Sequence, residues 1–198
     1  MVCVVEQKIR KAFEESIQVK RRFLDTYVHL IGEVANVIAG RLSQGSKVIL
    51  FGNGGSASDA AHIAAEFVNR YMLERPPLPA IALNTDMSVI TSIANDYDYS
   101  EIFSKQVRAL GEAGDVAIAI TTSGTSANVL AAVEAAKKKK LITVGFTGAK
   151  GDKFCTMVDY AFQVPSAQTP RIQETHITLG HVLCQMIEEI LFKSPGEM

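Results

Sequence analysis

The stretch Lys47–Tyr71 places a short apolar strand, a glycine-rich turn and a helix in immediate succession. The apolar run Val48–Phe51 has the length and the β-branched character of a strand buried in a parallel sheet. The run breaks at Gly52–Gly55, where glycine lets the backbone turn tightly and approach a ligand, and a helix follows from Ser56. Free N–H groups and the helix dipole at such a turn favour anions. The sequence therefore predicts a phosphate site between a parallel sheet and a helix.

His62 and Glu66 follow within the same helix, four residues apart. Residues at this spacing lie on one helix face. An anion-binding turn followed by a titratable pair predicts an enzyme that acts on a phosphorylated small molecule. The pair alone does not establish a site, because surface pairs at this spacing are common and simply stabilise a helix by about 0.3 kcal/mol.

Two other interpretations fit the glycine-rich turn. The residues from Gly52 to Ala57 match the loose pattern G-x-G-x-x-G/A of dinucleotide-binding folds. Such a fold needs an acidic residue after its second strand, whereas Glu74 precedes that strand. Alternatively, Ser56 and Asp59 form an S-x-x-D helix cap, which does not exclude phosphate binding by the same serine.

Strands and helices alternate along the rest of the chain. This alternation predicts an α/β fold with a parallel sheet, right-handed crossovers and ligands at the carboxyl edge. Apolar residues at spacings of three and four predict two helices, or one broken helix, from about Val4 to Ser43. We expect one domain over residues 1–198, with a helical arm at 1–44 that packs on another subunit and an α/β core at 45–198. The later strands are predicted at Ala80–Leu83, Val116–Ile120, Leu141–Phe146 and Tyr160–Val164.

A second strand, turn and helix N-terminus begins at the third of these strands. The strand runs into Thr121–Ser126, and a helix follows from Ala127 to Lys140. Hydroxyls and a glycine at a helix N-terminus can surround the oxygens of a phosphate. The same residues also suit an ordinary cap and turn. Because both turns fall at the carboxyl edge of one sheet, we favour the ligand interpretation.

The last predicted helix, Arg171 to about Phe192, begins with conspicuously polar turns after Thr169-Pro170. Gln173 and His181 are eight residues apart, which is about 12 Å along a helix and nearly the same face. Both side chains can therefore face one cleft, although a surface helix also explains them. Asn95–Tyr99, earlier in the chain, is predicted to be a polar loop.

Composition and charge exclude several classes of protein. The net charge is −1, which argues against a nucleic-acid-binding surface. The basic run Lys137–Lys140 is no exception, because it is predicted to be the solvated C-terminus of a helix, where cations are favourable. Cys3, Cys155 and Cys184 are scattered, which is typical of reduced, cytoplasmic proteins. The chain opens with no signal-peptide pattern, and no apolar run approaches the roughly 20 residues of a membrane span.

Three segments together identify a family. The segments GNGGSASDAAHIAAE, TTSGTSANV and RIQETHITLGH, in this order and spacing, resemble the phosphoheptose isomerases of the sugar isomerase (SIS) fold over essentially the whole chain. The resemblance implies a five-stranded parallel sheet in flavodoxin-like order and a homotetramer with active sites between subunits. It also implies conversion of sedoheptulose 7-phosphate to D-glycero-D-manno-heptose 7-phosphate, the first step toward the heptose of bacterial lipopolysaccharide.

The resemblance also implies which residues contact the sugar phosphate. Thr121 and Thr125 stand where some relatives have serine and asparagine, so the fit at Thr125 lacks one amide. The implied substrate contacts are Asn53, Gly54, Gly55 and Ser56 in the first loop, Asn95 and Asp96 in a second segment, Thr121, Thr122, Ser123 and Ser126 in the phosphate loop, and Glu66 and Gln173.

The implied cofactor is one Zn²⁺ per subunit. Glu66 and His181 also match the family's proposed base and acid, roles that an aldose–ketose isomerisation through an enediol requires. A zinc ion could instead stabilise the enediolate oxygen, and a zinc-bound Glu66 is a weaker base, so the sequence leaves both roles open. The implied zinc ligands are His62, Glu66, Gln173 and His181.

The main alternative is a non-catalytic regulator on the same fold that binds a replication initiator protein. Such relatives keep much of the glycine and serine framework but lack the glutamate corresponding to Glu66. The presence of Glu66 here favours the enzyme, because proton transfer requires a base.

Overall fold

A computed structural model describes residues 3–193 as a parallel β-sheet covered by helices on both faces. The strand order is β2-β1-β3-β4-β5, the flavodoxin-like order, so the predicted fold class is confirmed. Neighbouring strands are parallel throughout. The strands are β1 Val48–Gly52, β2 Ala80–Ala82, β3 Val116–Ile120, β4 Ile142–Gly148 and β5 Tyr160–Val164.

Seven α-helices alternate with these strands in the described part of the chain. None of them combines the length and apolar character needed to cross a bilayer. The helices are α1 Val4–Ser43, α2 Gly55–Val68, α3 Met87–Asp96, α4 Ile102–Leu110, α5 Ala127–Lys138, α6 Asp152–Cys155 and α7 Thr169–Phe192.

Alternate side chains of β1 enter two different apolar clusters, as the twofold period of a strand requires. Val48 and Leu50 pack in the cluster beneath α1, α2 and α7. Ile49 and Phe51 pack in the cluster beneath α4 and α5 on the opposite face. Every residue of β1 and β3 is buried, which explains why both read as continuous apolar runs in the sequence.

Helix α1 is one continuous helix of 40 residues, so the prediction of two helices or one broken helix is wrong. It contains no proline, and its C-terminal half is held by burial of Val34, Ala35 and Ile38 in the core. Its length is about 60 Å, well beyond the sheet. Along the N-terminal half, exposed large apolar side chains include Val4, Val5, Ile9, Phe13 and Ile17.

Other local predictions also differ from the structure. Asn95 and Asp96 form the last turn of α3 rather than a loop; Asp86 caps the start of that helix, and Ile93 and Ala94 pack against the core just before its end. Helix α6 was not predicted, since four residues leave too little periodic pattern to detect. The fourth strand continues to Gly148, beyond the predicted end at Phe146.

The sheet brings the two predicted loops together. β1 and β3 are parallel neighbours, and Gly52 pairs with Ile120 at their carboxyl ends. The turn after β1 and the turn after β3 therefore leave the same edge side by side. Strand order reverses between these two strands, which is where ligands bind in open α/β sheets.

Candidate active site

The first loop leads directly into α2. Gly54 is the N-cap residue, and its backbone φ of 56° is one that residues other than glycine rarely adopt. No side chain caps the helix. The interpretation of Ser56 and Asp59 as a helix cap is therefore wrong. Ser56 is buried in the first turn, and its N–H donates to the carbonyl of Asn53. The N–H groups of Ala57 and Ser58 donate to the carbonyl of Gly54, so backbone donors for an anion come from the glycine turn itself.

The second loop holds itself together through hydroxyls. The Thr121 hydroxyl lies 3.2 Å from that of Ser126 and accepts the N–H of Gly124 at 3.3 Å. The Ser123 hydroxyl accepts both the N–H and the hydroxyl of Thr125. Ser126 is the N-cap position of α5 but makes no side-chain cap bond. The N-terminus of α5 is thus a second uncapped site at the same sheet edge.

A reciprocal amide pair joins the two loops. Asn53 Nδ2 donates to Asn128 Oδ1 at 2.8 Å, and Asn128 Nδ2 donates to Asn53 Oδ1 at 2.9 Å. The Tyr99 hydroxyl donates to the same Asn53 oxygen at 3.3 Å. Asn53 was predicted as a substrate contact, whereas Asn128 and Tyr99 were missed. Asn128 lies in the quoted segment TTSGTSANV, but only the folded sheet shows that it faces Asn53.

Three predicted metal ligands converge beside these loops. Nε2 of His62, on α2, lies 3.0 Å from Oε1 of Glu66 and 3.5 Å from Nε2 of His181, on α7. The potential ligand atoms of the three residues all lie within 4.8 Å of one another. The ring of Tyr71, which sequence reasoning missed, stacks against His181 with centroids 5.4 Å apart. The structure therefore brings together a titratable cluster from two helices far apart in sequence.

The cluster fits a divalent metal ion. In a tetrahedral site, two ligand atoms that are each about 2.1 Å from the metal are about 3.4 Å from each other. The distances from His62 Nε2 to Glu66 Oε1 and to His181 Nε2, 3.0 and 3.5 Å, are close to this value. Two imidazoles and a carboxylate form a donor set that suits zinc and related metals. Three protein ligands leave one tetrahedral position for a further ligand or a substrate oxygen.

Gln173, the fourth predicted ligand, lies against the first loop, and among the described residues no hydrogen bond joins its side chain to the His62, Glu66 and His181 cluster. A Cβ atom added to Gly55 would stand 2.3 Å from Gln173 Nε2, so the glycine makes room for this amide. α7 also approaches α2 closely at Gly180, where an added Cβ would stand 2.4 Å from the Ile63 side chain. Glycine at these two positions lets α7 bring both Gln173 and His181 to the cleft.

Asp59 is an ionisable neighbour that sequence reasoning treated only as a cap. Its Oδ2 atom is buried without a hydrogen-bond partner. Burial raises the pKa of Asp59 to about 6, although the charge of His62 lowers it. A carboxyl group that changes charge near neutral pH therefore lies one turn before His62 on α2.

Asn95 and Asp96 hydrogen-bond to each other and, in the described part of the chain, to no other predicted site residue. Both side chains are exposed at the end of α3, and Asn95 Nδ2 donates to Asp96 Oδ1 at 2.9 Å. Within residues 3–193, no hydrogen bond links either of them to the two loops or to the His62 cluster. Thr122 lies in the second loop, where its carbonyl accepts the N–H of Gly148.

The fold and this site define an SIS domain: residues 13–148 match the SIS domain family. The comparisons with known proteins are more specific. The phosphoheptose isomerase of Thermodesulfovibrio yellowstonii is 64% identical over 192 residues, which cover 97% of this chain and 96% of that protein. The chain therefore belongs to the phosphoheptose isomerases of the SIS family, and it is an isomerase.

Solved structures agree with this assignment. The phosphoheptose isomerase of Neisseria gonorrhoeae is 41% identical with a TM-score of 0.88, and that of Francisella tularensis is 39% identical with a TM-score of 0.90. Each match covers 94% of this chain and 100% of the solved chain. These relatives carry the isomerase name, which gives the regulator alternative no support. The dinucleotide interpretation is likewise unsupported, since the matched family is a sugar isomerase domain.

Proposed function

We propose that this isomerase converts sedoheptulose 7-phosphate to D-glycero-D-manno-heptose 7-phosphate. The observation that carries the proposal is the convergence of His62, Glu66 and His181 in a domain that also has two uncapped helix N-termini at one edge of its sheet. A sugar phosphate needs these two parts: an anion site for one end and a proton-transfer site for the other. The names of the relatives supply the substrate class.

The phosphate is bound by the second loop in this proposal. The N-terminus of α5 supplies backbone N–H groups and a favourable dipole, and the loop supplies hydroxyls. The sugar lies toward the first loop, near Asn53, Gly54, Gly55 and Gln173, with Asn95 and Asp96 as further contacts. The hydroxyls assigned to phosphate are those of Thr121, Thr122, Ser123 and Ser126 in the second loop, together with that of Ser56 at the start of α2.

Glu66 and His181 carry the proton transfers. A base removes the proton from C1 of the ketose and returns it to C2, and a second group exchanges protons between O1 and O2, so the atoms balance through an enediol. Glu66 serves as the carbon base because a carboxylate suits this role. His181 serves at the oxygens because an imidazole can donate a proton through one ring nitrogen and accept one through the other.

His62, Glu66, Gln173 and His181 would hold one Zn²⁺ per subunit. When bound, the metal supplies a Lewis acid that stabilises negative charge on the substrate oxygens. Glu66 as a ligand is a weaker base than free Glu66, so its two roles compete. Gln173 contributes a neutral amide oxygen, which keeps the net charge of the ligand set low.

We also propose a cytoplasmic homotetramer built through the helical arm, whose product feeds lipopolysaccharide precursor synthesis. Exposed apolar side chains along the first half of α1 support the assembly, because a run of them is unfavourable in water. Residues 1–198 form one SIS domain in this proposal, with the arm at 1–44. Residues 1–2 and 194–198 of that range lie outside the described residues.

The direct test is to incubate the purified protein with sedoheptulose 7-phosphate and to follow the aldose product. We expect turnover that a chelator lowers and added Zn²⁺ restores. Fructose 6-phosphate, a shorter ketose phosphate, serves as the matched control substrate. Absence of turnover with and without zinc would contradict the proposed substrate.

A further inference from the structure

The buried ion pair between Arg75 and Glu188 lies at the end of the helices that carry the site. Arg75 Nε donates to Glu188 Oε1 at 2.8 Å, and both side chains are 1% exposed. Arg75 follows α2 in the segment that leads to β2, whereas Glu188 is seven residues, or about two turns, after His181 on α7. The pair therefore connects the end of one ligand-bearing helix to the other.

Arg75 also donates to the last turn of α2. Nη2 donates to the carbonyl of Glu66 at 2.8 Å, and Nη1 donates to the carbonyl of Phe67 at 2.8 Å. The last carbonyls of a helix have no partner within it, so the guanidinium acts as a C-terminal cap. One of the two capped carbonyls belongs to Glu66, the residue whose side chain reaches His62.

Glu188 fixes the segment that follows α2. Its carboxylate accepts the N–H groups of Tyr71, Met72 and Leu73 at 2.6, 2.9 and 3.0 Å. Burial tends to raise the pKa of Glu188, but these N–H groups and Arg75 lower it below its ordinary value, so the group is a stable anion. Because Tyr71 is held at its backbone, its ring is held against the imidazole of His181.

We propose that Arg75 and Glu188 are positioning residues that set the distance between Glu66 and His181. The inference rests on the proposed function, because it concerns metal binding and catalysis by that cluster. A buried pair of this kind contributes little net stability compared with apolar residues of the same size, so stability alone does not explain its presence. Its contacts with Glu66 and with Tyr71 supply a structural reason.

Two substitutions test the pair. Arg75→Lys keeps the charge but loses the two guanidinium Nη groups that donate to the carbonyls of Glu66 and Phe67. Glu188→Gln keeps the shape but loses the anion. We expect each to weaken binding of Zn²⁺, measured by competition with a chromophoric chelator, by about tenfold or more, the scale seen for groups that orient metal ligands. We also expect kcat to fall while KM for the sugar phosphate changes little.

Asp115→Asn is the matched control. Asp115 pairs with the ammonium of Lys47 at 2.7 Å and accepts the N–H groups of Lys47 and Glu112, so it is a buried carboxylate with similar partners. It lies at the amino end of the sheet, opposite the site. We expect it to lower the free energy of unfolding but to leave zinc affinity within about twofold of the parent.

The outcomes separate the inference from the proposed function. If the parent binds zinc and turns over substrate while both Arg75→Lys and Glu188→Gln keep the parental zinc affinity as folded proteins, the positioning inference alone is wrong. If Asp115→Asn weakens zinc binding as much as they do, the effect is general destabilisation and the inference is again wrong. If the parent itself binds no zinc, the metal part of the proposed function fails and the inference fails with it.

Discussion

Glu66 is the residue on which the proposed chemistry depends most. Its carboxylate contacts His62, whereas the hydroxyls of the second loop hold one another without it. We therefore expect Glu66→Gln to lower kcat by at least about 10²-fold, the usual scale for a positioned general base. Sugar-phosphate binding, measured by calorimetry, should be largely retained.

Glu74→Gln is the control for this substitution. Glu74 also pairs with a basic residue four positions away, Arg70, at 3.6 Å, but its side chain is 93% exposed. We expect its kcat to equal that of the parent. Parental turnover by Glu66→Gln would show that the His62–Glu66 pair is only a helix-surface contact.

His176 predicts the response of stability to acid. The ring is fully buried, its Nε2 lies 3.2 Å from the carbonyl of Thr147, and its Nδ1 has no partner. Burial lowers the pKa of His176 to about 4, against a smaller raising effect of the Thr147 carbonyl. Between pH 6.5 and 4 the unfolded chain binds a proton that the folded chain does not. The contribution of the neutral His176 ring to the free energy of unfolding is therefore fully present above pH 6.5 and is lost as the pH falls toward 4.

We expect His176 to account for about 2 kcal/mol of the stability lost between pH 7 and pH 5. The free energy of unfolding of the parent and of His176→Gln is measured in urea at both pH values. The protein concentration is kept the same throughout, because the stability of an oligomer depends on it. His176→Gln should lose less stability on acidification than the parent. His29→Gln, a change at an exposed histidine, should behave as the parent does. Equal losses for all three proteins would exclude His176 as the cause.

At the scale of elements, the amide pair between Asn53 and Asn128 couples the turn after β1 to the start of α5. Asn128→Asp places a carboxylate oxygen where the donor to Asn53 Oδ1 had been, so two acceptors face each other. We expect KM for the sugar phosphate to rise about tenfold, since a lost hydrogen bond in a buried site costs about 1–2 kcal/mol.

Asn36→Asp is the control for this change, because Asn36 is an exposed amide that donates to a carbonyl of its own helix, that of Gly32. Steady-state kinetics on both variants provide the comparison. An unchanged KM in Asn128→Asp would mean that the two loops bind independently.

The elements themselves were largely predictable. The strands β1 and β3 are runs of apolar residues flanked by glycine and hydroxyl turns, so their pattern alone located both loops. The end of α3 was not predictable, because the sequence from Asn95 onward is polar and resembles a loop, while Ile93 and Ala94 just before it pack against the core. Tyr71, Asn128 and Glu188 were missed because their partners are distant in sequence and only the fold brings them together.

At the scale of the whole molecule, the exposed half of α1 predicts the assembly. Phe13 is 70% exposed and Ile17 is 49% exposed on a helix that extends beyond the sheet. We expect Phe13→Glu to shift the protein toward smaller species in light scattering at micromolar concentration, because a charge on an apolar interface is costly to bury. The helical content in circular dichroism should stay close to that of the parent.

Gln18→Glu adds the same charge to an exposed polar position of α1 and serves as the control. It should keep the parental mass. If the parent is a stable monomer, or if Phe13→Glu keeps the parental mass, the arm does not mediate assembly.

The sheet separates the two apolar clusters, so substitutions in one cluster should affect the other little. The cluster beneath α4 and α5 has no described side chain in common with the cluster beneath α2 and α7, which carry His62, Glu66 and His181. Substitutions in the two layers should therefore add in free energy. We expect the layer beneath α4 and α5 to accept substitutions for thermal tolerance with little effect on the proposed metal ligands, whereas substitutions beneath α2 and α7 should change stability and the geometry of those residues together.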